Sequence, residues 1–169
     1  MPSLASVPGL VLAALVLVGG SPPPADDLAA RGWIWPVEEV RLERPFIAPA
    51  HAYGPGHRGV DLGGAATVRA PAAGTVAFAG PVAGRPVLTI DHGDGLVSSF
   101  EPVTSDLAVG TDVRRGDVVG TVAAGGHTGS GTVHVGVRLH GEYVNPLRLL
   151  GGVPRAVLLP CCAALSPAP

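Results

Sequence analysis

The sequence predicts an all-β, mostly antiparallel single domain, and three observations carry that prediction. Gly (25) and Pro (18) punctuate Val-rich runs along the 169 residues, the pattern of many short strands joined by turns. No amphipathic helical stretch of any length occurs between residues 33 and 146. Residues 132–139 alternate strictly, with Val133, Val135, Val137 and Leu139 on one side and Thr132, His134, Gly136 and Arg138 on the other. That is the period of a half-buried strand. The length suits one domain with tails, and a hydrophobic content of 47% is enough for a core.

Taken in order, residues 1–20 end in an apolar run of signal-peptide length, short of a membrane span. Its leading segment has no Arg or Lys, so an uncleaved N-terminal anchor is the competing expectation. Residues 21–32 read as a Pro-rich, acidic linker, and Trp33 and Trp35 open the ordered region because indoles are costly to leave in water. The domain is expected over 33–150.

Within it, residues 68–80 read as a strand entered through a turn, and 85–91 as the next strand. His92-Gly93-Asp94-Gly95 is hairpin-turn chemistry, with glycines for positive φ. Residues 96–103 read as the strand leading out. Residues 107–120 read as a turn, a short strand and another turn. Asn145-Pro146-Leu147 closes the sheet, and 151–169 is a Pro- and Ala-rich tail.

Charge and cysteine content exclude several classes. The net charge of −2 gives no electrostatic case for nucleic acid, and the 11 basic residues are all Arg, which reads as compositional bias. Cys161 and Cys162 are adjacent. Their Cα atoms, about 3.8 Å apart, are too close for an ordinary disulfide. A zinc finger would need a second cysteine pair.

Of six histidines, two stand out. In Gly56-His57-Arg58-Gly59-Val60-Asp61-Leu62, an extended backbone puts His57 and Asp61 on one face with Gly59 between them. An imidazole and a carboxylate converging on one open spot suit zinc. His134 faces away from the core of its strand, into a groove or to solvent, and is the candidate third ligand. His92 reads as turn chemistry and His140 as a solvent-facing strand end. His51 and His127 lie in loops without a spacing argument.

Several pieces in order resemble the lysostaphin/LytM-type zinc peptidoglycan endopeptidases over about residues 33 to 150. These are His57-x-x-x-Asp61, Ala70-Pro71-Ala72-Ala73-Gly74-Thr75-Val76, Asp91-His92-Gly93-Asp94-Gly95, residues 113–120 and Val144-Asn145-Pro146-Leu147. The resemblance implies a lysostaphin-like β-sheet or β-roll domain with Zn2+ on His57, Asp61 and His134. It implies a protein secreted or held at a bacterial cell wall or surface, cutting peptide cross-links of peptidoglycan. It departs at two places. The family's catalytic histidine positions fall on Thr132 and Pro102.

A general base contributes about 10²–10⁴-fold and an oxyanion donor about 10²–10³-fold. Losing both would cost several orders of magnitude unless other groups replace them. Glu101 and His127 are the candidate replacements. Glu101 is expected to face away from Pro102's side of the strand, and His127 to reach in from the Gly-rich loop before residue 132. Two other readings compete with an active peptidase. One is a zinc-binding, catalytically degenerate domain that binds wall peptides or regulates a partner cell-wall hydrolase. The other is a β domain with no metal.

Overall fold

The computed structural model describes residues 28–51, 53–125 and 131–151. The N-terminal apolar run, His127, Cys161 and Cys162 lie outside the described residues. Among the described residues there are eleven strands: β1 (Arg41–Arg44), β2 (Gly59–Gly63), β3 (Thr67–Arg69), β4 (Gly74–Val82), β5 (Arg85–Asp91), β6 (Leu96–Glu101), β7 (Val103–Thr104), β8 (Asp112–Val113), β9 (Val118–Val122), β10 (Val133–Leu139) and β11 (Glu142–Val144). A 3-10 turn (Leu28–Arg31) precedes them and one helical turn, α1 (Leu147–Leu150), follows.

The main sheet runs β1-β2-β10-β6-β5-β4-β8, with β11 also paired to β10. A smaller sheet runs β3-β9-β7. All the paired strands are antiparallel, as the alternating pattern predicts. The hairpin turn after β5 has positive φ at Gly93, Asp94 and Gly95. Residues 96–103 differ from expectation. They are not one strand: β6 ends at Glu101, and β7 crosses to the small sheet. Pro102 sits at this junction. It has no N–H to donate to a ladder, and its carbonyl accepts from Ala123 instead at 2.9 Å.

The core lies between the two sheets. Val60, Leu62, Phe100, Val133 and Val135 from the main sheet pack with Val68, Val103 and Val119 from the small one. At the other end Leu28, Trp33, Leu96, Val137, Leu149 and Leu150 form a second cluster. One face of β2, β10 and β6 is therefore sealed by apolar side chains. Because strand residues alternate, their remaining positions point to the opposite, open face.

Candidate metal centre

The register of three neighbouring strands builds the site. His134 on β10 stands directly opposite Asp61 on β2 and, on its other side, opposite Glu101 on β6. Such partners have Cβ atoms about 4.5–5.5 Å apart, so Asp61, His134 and Glu101 form one row across the open face. His57 arrives from the segment just before β2. It is fixed there by reciprocal backbone hydrogen bonds with Ile47 at 2.8 and 2.9 Å.

Three ligand atoms meet. His57 Nε2 lies 3.0 Å from Asp61 Oδ1 and 3.1 Å from His134 Nδ1. His134 Nδ1 lies 2.7 Å from Asp61 Oδ1. His57 and Asp61 are buried, at 4% and 5% exposure. Across its ring, His57 Nδ1 donates to the Pro45 carbonyl at 2.7 Å. A carbonyl only accepts, so that nitrogen carries a proton, and Nε2 is the ring atom turned to Asp61 and His134. Metal-binding histidines make this kind of outer contact. Burial pushes the His134 imidazole below its ordinary pKa, against the opposing pull of the Asp61 carboxylate, which favours the neutral, ligating form.

The donor set fits zinc. Two imidazole nitrogens and a carboxylate oxygen bring three ligand atoms to one buried triangle, an arrangement that suits a cation. Tetrahedral zinc with bonds of ~2.0–2.1 Å has ligand–ligand edges of roughly 3.3 Å. A triangle with sides of 2.7 to 3.1 Å needs only slight spreading to accept it.

Gly59 sets how closely the ligands approach. It pairs with Gly136, and a Cβ there would collide with the Val135 carbonyl and lie 2.5 Å from His134 Nε2. The space expected beside Gly59 is the seat of the His134 ring. From His134 a groove of about 400 Å³ runs over the open face, lined by Arg58, Phe78, Val82, Val87, Thr89, Ser99, Glu101, Arg138 and Tyr143. The Arg138 guanidinium stacks over the Tyr143 ring at 5.1 Å and forms one wall.

The remaining anticipated residues are distributed unevenly. Thr132 lies two positions before His134, immediately ahead of β10, and is buried. Pro102 is buried, and its side chain has no donor or acceptor to offer the site. Glu101 stands beside His134 across the β10–β6 pairing. The site lies on the Glu101 side of β6, because the register sets Glu101 opposite His134. Its Oε2 is 3.3 Å from Arg85 Nε. That is ion-pair distance without hydrogen-bond geometry, leaving Arg85 Nε buried and without a hydrogen-bond acceptor.

His92 is also more than turn chemistry. Its Nδ1 donates to the Ala73 carbonyl at 2.9 Å, and its Nε2 accepts from the Ser98 hydroxyl at 2.7 Å. Its ring packs on Trp33 with centroids 4.6 Å apart. These contacts pin the hairpin to the body of the domain. One residue went unanticipated: Glu43 on β1, whose Oε2 accepts a hydrogen bond from the Thr132 hydroxyl at 2.8 Å. Nothing in the order Arg41-Leu42-Glu43-Arg44 singles it out.

An antiparallel sheet that sets a buried His/Asp/His cluster at the head of an open groove defines a metallopeptidase-like domain. Residues 55–146 match Peptidase family M23, and the chain belongs to that family. It is 40% identical over 147 residues to the uncharacterized protein Rv2891 of Mycobacterium tuberculosis, covering 82% of this chain and 58% of the relative. The chain thus spans little more than half the length of the curated relatives it matches. A putative peptidase M23 from Pseudomonas aeruginosa is 30% identical, with a TM-score of 0.54 over 77% of this chain and 60% of that one. Lysostaphin shares the fold at 17% identity and a TM-score of 0.56, over 73% of this chain and 57% of that one.

Proposed function

We propose that this chain is an exported, zinc-dependent endopeptidase that hydrolyses peptide cross-links of bacterial peptidoglycan at the cell wall or surface. The observation that carries the reading is the convergence of His57 Nε2, Asp61 Oδ1 and His134 Nδ1 within 3.1 Å of one another at the head of the groove. His57, Asp61 and His134 would hold the ion. Bound zinc supplies Lewis acidity and a nucleophile at neutral pH. The chain's own residues do the rest. The sheet face presents an extended peptide to the cluster, with Phe78, Val87 and Thr89 on one side and Arg138 and Tyr143 on the other. Among the described residues no helix is long and apolar enough to cross a membrane.

A second reading has its own observation. Thr132 and Pro102 occupy the positions where the resemblance expects catalytic histidines. That favours a zinc-holding domain that binds wall peptides or regulates a partner hydrolase without cutting. One assay separates the two. Zinc-loaded protein is incubated with purified, cross-linked peptidoglycan and the new amino termini are counted. New termini made by the wild type and abolished in His134→Ala support the peptidase. Sedimentation with the wall and no new termini in either protein supports the binding domain.

A further inference from the structure

We propose that Glu43 is the residue that handles the proton at this site, held in place by Thr132; the inference rests on the peptidase reading above. Three observations place its carboxylate. First, β1 pairs with β2 through Arg41–Gly63 and Leu42–Leu62, then slips so that Arg44 stands opposite Asp61. The irregularity makes Glu43 the extra residue, and such bulges re-aim side chains. Second, a Cβ on Gly63 would collide with Glu43 Oε1. Gly63 is two residues from Asp61, so its missing side chain would point to the open face. The Glu43 carboxylate therefore lies over Gly63 on the face that carries Asp61 and His134. Third, Thr132, the residue just before β10 and two positions from His134, donates to Glu43 Oε2 at 2.8 Å across this gap.

The carboxylate is thus cradled by a glycine on β2 and a buried threonine just before β10. It belongs to the row of side chains adjacent to the metal row. Same-face rows are separated by two residues, or roughly 6.6–6.8 Å along a strand. Arg41 Nη2 holds Oε1 at 2.9 Å. A carboxylate has about four lone-pair sites, so two such bonds leave it able to accept from water. Glu101, on β6 opposite His134, is the competing carboxylate, and its Oε2 lies 3.3 Å from Arg85 Nε.

In hydrolysis Glu43 takes one proton from the attacking water as the water oxygen bonds to the scissile carbonyl carbon. As the C–N bond breaks, Glu43 gives that proton to the leaving amine. The second proton of the water leaves with the new carboxyl group. Glu43 would then be a catalytic residue, and Thr132, acting through it, a positioning residue.

The test uses full-length protein and two readouts. Glu43→Gln keeps the shape and the Thr132 contact but cannot accept the proton. Turnover on cross-linked peptidoglycan should fall by about 10²–10⁴-fold. Zinc affinity, measured by competition with a chromophoric chelator, should stay within about three-fold because Glu43 is not a ligand. Thr132→Val should lower kcat about ten-fold with KM unchanged, and Thr132→Ser should restore it.

Three results overturn the assignment. Glu43→Gln that cuts within about three-fold of an active wild type removes the base role and leaves the peptidase reading standing. Zinc affinity lowered more than about ten-fold by Glu43→Gln makes Glu43 a support of the metal ligands instead of the proton carrier. A zinc-loaded wild type that cuts nothing brings down the peptidase reading, and the Glu43 step with it.

Discussion

Gly59 decides how near the His134 ring can come to Asp61. Alanine there would drive a methyl into the Val135 carbonyl and to 2.5 Å from His134 Nε2. Backbone atoms cannot yield as a side-chain tip can. We predict that Gly59→Ala lowers stability by about 2 kcal/mol, or a Tm fall of roughly 4–8 °C, and weakens zinc binding in the same protein. Thermal melting together with a zinc titration checks this. A variant with wild-type Tm and wild-type zinc affinity would show that the ring does not sit where we place it. At this scale much of the site was legible. His57 and Asp61 share a face through simple alternation, and His134 follows from the apolar period of its own strand. Glu43 was not legible, because its orientation comes from a slip in the β1–β2 register that composition and period do not encode. The facing of Glu101 was half legible. Alternation separates it from Pro102, but only the β10–β6 register tells which side holds the site.

Among the elements, the β5–β6 hairpin couples the site strand to the rest of the domain. Its histidine carries a pH dependence. Burial pushes the His92 pKa below its ordinary value, against the Ala73 carbonyl contact and the nearby Asp91 charge. The folded state therefore takes up its proton later than the unfolded chain as pH falls. The stability that neutral His92 provides is complete above about pH 6.5 and is lost as pH drops through that value toward the lower folded pKa. His134 moves in the same direction, so the comparison must be made against a variant. His92→Gln should lose less Tm between about pH 7 and pH 5 than the wild type does. If both proteins lose the same amount, His92 is not the group responsible. The hairpin was readable because Gly93, Asp94 and Gly95 advertise positive φ. The exchange of the chain from β6 to the small sheet was not. An X-Pro step ends a ladder, but which sheet the chain joins next depends on distant partners such as β9. β11 was also hidden, since Glu142–Val144 is too short to show a period.

At the scale of the whole molecule, the small sheet seals one face of the main sheet, and the site uses the other. The all-β class and the antiparallel arrangement followed from Gly/Pro punctuation and alternation. The pairing of β2 with β10 did not, because contacts between segments so far apart leave no local trace. A ligand that binds only the folded state stabilises it by mass action. Zinc held at about 100 times its dissociation constant should therefore add roughly 2.7 kcal/mol, and chelation should remove it. The most direct test of the account is the zinc content of the purified protein, measured by elemental analysis after dialysis and repeated for Asp61→Asn and His134→Ala. We predict about one zinc per wild-type chain and little in either variant. Wild-type protein that holds no zinc after loading, or variants that retain it fully, would contradict the assignment of His57, Asp61 and His134 as the metal centre.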